Sequence, residues 1–288
     1  MGIFKAISGG LGTTFRKPRL VVILYVVNLA FALAAAAPFL AIVQKELGHS
    51  LAGLSVQPVD PMWIGEAVLG YGRAFPALLA GFVVLGLLYL VLHVFLNGGI
   101  VGRLLDREAP ASLAAFSADC GRLFWRYVRL FLLSLVFYAL TLGVVLKLVS
   151  VLFRPISDGA VTEWTPLILS NIHLLIALLL LSVVHMIVDY ARIAVVADEE
   201  RRVLKALRHA LTFLKARFFR AWALYLLLVL GTLAGAAVFY AVLKPLGAPG
   251  VGLVVAGFFW MQIYVVFRIW TRTLFIAAQA EFYRSHPY

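Results

Sequence analysis

Apolar and polar residues fall in long alternating blocks along this chain. Six apolar runs, roughly Leu20–Val43, Ala74–Leu96, Leu130–Phe153, Leu167–Val188, Ala221–Leu243 and Val251–Phe267, are separated by shorter basic or turn-rich segments. A helix needs about 20 apolar residues to cross about 30 Å of hydrocarbon, and each run supplies that length or nearly so. The pattern predicts an all-α polytopic bundle of six transmembrane helices, a single integral membrane domain over residues 1–288. Ala34–Ala37 resembles a signal-peptidase site, but the apolar run continues through Pro38 to Val43 and nineteen residues precede it, so the first span is expected to be retained.

The segments between runs have a second period. Leu204, Leu207, Leu211, Leu214 and Phe218 recur at helical spacing, with Lys205, Arg208, Thr212 and Lys215 on the neighbouring face. Leu113, Phe116, Cys120, Leu123 and Tyr127 repeat that spacing at a constant offset of 91, behind a candidate N-cap at Ser112. Phe4, Ile7 and Leu11 follow it more weakly, because Gly9, Gly10 and Gly12 loosen the helix. Basic amphipathic helices of this kind lie in the headgroup plane, on the inner face of the membrane, with the apolar side down. Each runs into a span through a spaced arginine pair: Arg16 and Arg19, Arg126 and Arg129, Arg217 and Arg220. These six are the candidate lipid-headgroup contacts. His93 to Asn97 also aligns on His185 to Asp189, and Arg272–Gln279 on Arg192–Glu199. The chain thus reads as three copies of one unit, approximately 1–98, 109–188 and 201–283, with a pseudo-three-fold axis along the membrane normal.

Charge sets the orientation. With both termini inside, 20 of the 25 Lys and Arg stay on the cytoplasmic side, and only Lys45, Arg73, Lys147, Arg154 and Lys244 are exported. The reading is therefore a multi-pass protein of the bacterial inner membrane, N-in and C-in. Its net charge of +12 is directed at anionic membrane lipids, worth about 1 kcal/mol per well-placed Lys or Arg, and not at nucleic acid. The composition, 64% hydrophobic and 13% charged, excludes a soluble core.

Polar groups inside spans are the default functional suspects. Asn28, His93, Asn97, His185, Asp189 and Gln262 form the candidate intramembrane polar site, while Lys147 and His173 sit near the outer boundary. His-x-x-x-Asn and His-x-x-x-Asp place both side chains on one helix face, a combination able to ligate a metal. A metal site recruits a third protein ligand and none is evident, so each His is expected to bond a neighbouring helix, and Asn97 and Asp189 to be satisfied by interfacial water. Asp189 and Arg192, spaced i, i+3, are expected to pair. The lone Cys120 forms no intrachain disulfide and is read as a small apolar residue on a helix face. No zinc-protease helix, nucleophile elbow or phosphate loop occurs, so no enzyme activity, catalytic residue or cofactor is expected. Gly81, Gly86, Gly231, Gly235, Gly252 and Gly257 are the candidates for close helix approach.

The passage from Ala191 to Asp198, followed by Ala206–Lys215, resembles a recurrent pattern in six-span bacterial membrane proteins. That group includes the membrane domain attached to some glycerophosphodiester phosphodiesterases. The resemblance implies the span layout, in which an acidic residue closes one span and an alanine-leucine interfacial helix leads into the next. This chain has no room for the soluble catalytic barrel of those fused enzymes, and no catalytic residue carries over. The expected role is a membrane-embedded subunit or scaffold, with a transporter or channel for a lipid or amphiphile as the alternative. A cysteine introduced at Pro58 or Ser157 is expected to react with an impermeant label from outside, whereas one at Arg202 stays protected.

Overall fold

The computed structural model describes residues 2–47, 75–106, 112–159, 162, 164–246 and 251–285. All the regular structure among them is helical: α1 (Ile3–Arg16), α2 (Pro18–Leu47), α3 (Phe75–Leu105), α4 (Leu113–Leu140), a π-helical turn (Thr141–Val145), α5 (Leu146–Asp158), α6 (Trp164–Ala197), α7 (Val203–Leu246) and α8 (Val251–Arg284). Six helical stretches are long and apolar enough to cross a membrane, and each overlaps one of the six runs read from the sequence. The chain is a multi-pass, all-α membrane protein. The outer turn expected around Pro58, Asp60, Pro61 and Trp63 lies outside the described residues.

Two compact units form, one of residues 22–93 and one of residues 1–21 with 94–288. In the first, α2 runs through Pro38 as one helix, and the Tyr89 hydroxyl donates to Asn28 Oδ1 at 2.6 Å. Asn28 Nδ2 in turn donates to the Leu24 carbonyl at 2.8 Å.

The larger unit has its core at one end of its helices. α6 has 34 residues and α7 has 44, roughly 51 and 66 Å at 1.5 Å per residue, well beyond a hydrocarbon slab about 30 Å thick. The surplus length carries the buried side chains. Met186, Tyr190, Ala191 and Ile193–Val195 of α6, Ile100–Leu105 of α3 and Ala277–Tyr283 of α8 are all buried. The apolar lengths are mostly exposed, as Leu132, Leu178, Leu230 and Val254 illustrate, because lipid tails solvate them.

The basic amphipathic segments join this lobe. The stripe Phe116, Cys120, Leu123, Tyr127 is buried against protein, and Ser112 caps α4 by accepting from the Ala115 N–H at 3.2 Å. The stripe expected at 204–218 is rotated. Val203, Ala206, Leu207, Ala210, Phe213 and Leu214 face the core, while Leu204 and Leu211 are exposed. Alanines at 206 and 210 leave room for neighbouring helices, so the large leucines beside them turn outward. Aligned on Arg16, Arg126 and Arg217, the three segments bury equivalent positions: Ala6, Phe116 and Leu207, then Leu20, Leu130 and Ala221.

The junctions are not equivalent. Pro18 disfavours α backbone at the residue before it, and Lys17 (φ −122°, ψ 51°) breaks α1 from α2. Arg217 (φ −137°, ψ 27°) kinks α7 one residue before the matching position, yet α4 runs unbroken past Arg126 and Arg129.

Close approach depends on Gly235 of the expected set and on several glycines outside it. A Cβ on Gly99 would lie 2.4 Å from Cys120 Sγ, and one on Gly10 would lie 2.7 Å from the Ala278 backbone nitrogen. Gly98 and Gly102 likewise face Leu123 and Asp119. Of the expected set, Gly235 receives the Phe267 ring and Gly257 makes only ordinary contact. Gly81, Gly86, Gly231 and Gly252 have nothing within 4 Å. Spacing alone does not say which face of a lipid-exposed helix meets protein. Gly99→Ala is expected to destabilise the protein by about 1–3 kcal/mol through overpacking. Gly121→Ala, in open space on α4, should be neutral or gain up to about 1 kcal/mol from helix propensity. Thermal unfolding in a fixed detergent and lipid mixture measures both.

Candidate functional site: a basic rim around a paired polar lobe

Charged side chains in the lobe first satisfy one another. Arg103 Nε and Nη2 both meet Asp119 Oδ2 at 2.6 Å, and Arg122 Nη2 reaches Asp119 Oδ1 at 3.0 Å. Arg103 Nη1 also lies 3.4 Å from Asp106. The last carbonyls of α3 have no intrahelical donor, and cations fill that need. Lys17 Nζ donates to the Arg103 carbonyl at 2.5 Å and to that of Asp106, and Arg284 donates to the Leu105 carbonyl. Burial is the main influence on Lys17 and pushes its ammonium below the ordinary lysine value. Asp106 opposes that shift, and Arg103 and Arg284 reinforce it.

The second polar group lies along α6. Arg192 Nη1 donates to Asp189 Oδ1 at 3.0 Å, and the Tyr127 hydroxyl to the Arg192 carbonyl at 3.1 Å. His185 Nδ1 stands 2.8 Å from the Tyr138 hydroxyl on α4, and its Nε2 is 3.6 Å from Asp189 Oδ2. Farther in, Asp198 Oδ2 accepts from the Tyr283 hydroxyl at 2.9 Å and meets His209 Nδ1 at 3.0 Å. In the turn that follows, Glu200 is held below the usual carboxylate range by Lys205 at 2.7 Å and by the Arg202 N–H.

The structure therefore separates the sequence candidates. Asn97 accepts from Arg272 Nη2 at 2.8 Å, and Asp189 from Arg192, so each has a protein partner where interfacial water was expected. The expected bond from His185 to a neighbouring helix goes to Tyr138. Asn28 and His93 belong to the smaller unit, where the His93 ring lies 5.6 Å from that of Tyr89, and Gln262 is half-buried on α8. Among the described residues no three His, Cys, Asp or Glu side chains are grouped to hold a metal. The hydroxyl bonds of Tyr138, Tyr127 and Tyr283 escaped sequence reading, since their partners lie on helices distant in the chain. Gln279 is fully buried, with neither amide atom bonded to a described residue.

What remains is a rim of unneutralised charge. Arg16, Arg19, Arg129 and Arg220 are exposed and Arg126 and Arg217 half-exposed, and none forms an ion pair with a described carboxylate. The Arg217 guanidinium lies 5.6 Å over the Phe213 ring. Exposed aromatics stand beside them: Phe15, Trp125 and Phe219. Aromatic rings of this kind anchor at the headgroup level, and guanidinium binds phosphate oxygens through paired N–H donors. A cleft of about 410 Å³ between α1 and the end of α8 opens on the rim at Lys5 and Arg16, with Glu281 on its wall. No protein-family model, curated protein or solved structure matches this chain. Breaking the buried pair by Arg103→Leu should cost about 3–5 kcal/mol, because Asp119 keeps its charge without its main partner. Arg122→Leu, at the exposed end of the same cluster, should cost about 1 kcal/mol or less. Denaturant or thermal unfolding distinguishes the two.

Proposed function

We propose that this protein is a non-enzymatic, membrane-embedded subunit or scaffold of the bacterial inner membrane. Both termini face the cytoplasm, and the arginine rim binds anionic phospholipid headgroups. The observation that carries this reading is the division of labour among the cations. Lys17, Arg103, Arg122, Arg192, Arg272 and Arg284 bond to protein groups, whereas the six junction arginines stand beside exposed aromatics without a described carboxylate. Two features support the common inner side: the bias of 20 in 25 basic residues, and the meeting of Lys17, Arg103, Arg272 and Arg284 in one lobe. The likeness to the membrane domain of glycerophosphodiester phosphodiesterases belongs to the same proposal.

A second reading, an amphiphile carrier, has one observation of its own. A groove of about 320 Å³ in the smaller unit sets the Asn28–Tyr89 pair among Phe31, Phe82 and Leu85. One polar pair in an apolar groove suits a ligand with a single polar group.

Native mass spectrometry of the protein from phosphatidylglycerol-containing nanodiscs tests the first reading. The Arg126→Glu, Arg217→Glu double variant should retain at least about tenfold less phosphatidylglycerol, at about 1 kcal/mol for each charge lost. Lys244→Glu, at the other end of α7, should match the parent protein. Retention unchanged in the double variant contradicts the proposal. Loss caused by Asn28→Leu instead favours the carrier.

A further inference from the structure

At the opposite end of the larger unit, a second polar cluster interrupts an otherwise apolar surface. Lys147, Ser150 and Arg154 on α5 and Pro166, Ser170 and His173 on α6 line one cleft of about 480 Å³. Both sets follow helical spacing, 147, 150, 154 and 166, 170, 173, so each forms a stripe on one face of its helix. Lys147 and Arg154 are two of the five basic residues that the charge pattern assigns to the far side.

The π-helical turn explains why this stripe faces α6. The buried face of α4 runs through Leu123, Tyr127, Leu130, Ser134 and Thr141. Continued at regular α spacing, it would proceed through Val145 to Leu148 and Leu152. Thr141–Val145 instead closes a wider turn, in which the Leu146 N–H donates to the Thr141 carbonyl. The extra residue advances the inward stripe by one position. Val149 and Phe153 become half-buried, and Leu148 and Leu152 are left 60% and 71% exposed. The same advance carries Lys147, Ser150 and Arg154 to the edge of the contact with α6.

The cleft is not saturated by its own groups. His173 Nε2 is buried and has no hydrogen-bond partner among the described residues. Lys147 forms no described ion pair, and the Ser150 hydroxyl donates to the Lys147 backbone carbonyl at 2.8 Å. Arg154 has an interaction of its own, so the case rests on Lys147 and His173. Exposed Leu148, Leu152, Leu167 and Ile168 beside the cleft present an acyl-chain surface.

We infer that this cleft binds the phosphodiester of a phospholipid in the leaflet opposite the buried lobe, with Lys147 as counter-charge and His173 as hydrogen-bond donor. A cationic side chain and an imidazole N–H match the strong acceptor oxygens of a phosphate, and the flanking leucines select a lipid over a soluble anion. The site is separate from the arginine rim in sequence and in space.

The test counts phosphatidylglycerol bound to the full-length protein by native mass spectrometry, in the background of Arg126→Glu and Arg217→Glu, which weakens the rim. Lys147→Gln and His173→Leu should each lower retention about tenfold, the effect of losing one charge-assisted hydrogen bond. Lys147→Arg and His173→Gln, which keep a donor, should retain most of it, and Lys244→Gln should retain all of it. Thermal unfolding of each variant shows whether the fold is intact. Undiminished retention in well-folded Lys147→Gln and His173→Leu overturns the inference. Displacement of the lipid by millimolar inorganic phosphate overturns the choice of lipid over free phosphate.

Discussion

The larger unit depends on burying the second half of α8 outside the hydrocarbon. Lipid tails solvate leucine as well as another helix does, so apolar burial gives little drive for span association. Beyond the slab, water and headgroups restore that drive, and there Ala277–Tyr283 is enclosed by α1, α6 and α7. Gly10 makes the enclosure possible, because any side chain at that position would strike the Ala278 backbone. Gly98, Gly99 and Gly102 perform the same service between α3 and α4.

The charges follow from that burial. Helix ends brought into a partly dry lobe leave carbonyls and carboxylates without water, and each such group costs free energy unless paired. Lys17 and Arg284 answer the α3 carbonyls, Arg103 and Arg122 answer Asp119, and Tyr283 and His209 answer Asp198. Basic residues outnumber acidic ones, 25 to 13, and the six junction arginines at the rim have no described carboxylate. On the proposed reading, those arginines meet an anionic surface.

Much of this was legible in the chain. The runs of apolar residues marked all six spans, Ser112 was readable as a cap, and i, i+3 spacing paired Asp189 with Arg192. The burial register at Leu20, Leu130 and Ala221 follows the arginine alignment. Other features required the third dimension. Leu204 and Leu211 belonged to the apolar, membrane-directed stripe read from the sequence, and the spacing did not show that Ala206 and Ala210 admit a neighbour and occupy the face buried against protein. Arg268, Arg272 and Arg284 punctuate the end of α8, yet Gln279 and Phe282 between them are fully buried. Lys147 and His173, 26 residues apart in sequence, share a cleft only because a π-helical turn advances the register of α5.

The enclosure of α8 is tested most directly by a disulfide between α1 and its C-terminal end. The Cβ of a residue at 9 would lie 3.4 Å from the Cγ of Glu281, where the sulfur of a cysteine at 281 would stand, which is within bonding reach. In a Cys120→Ala background and in native membranes, Gly9→Cys with Glu281→Cys should crosslink almost completely under mild oxidation, read as a gel shift reversed by reductant. Gly12→Cys with Glu281→Cys should not, because position 12 points into open space. Absence of the first crosslink, or equal yield from both pairs, would contradict the buried lobe.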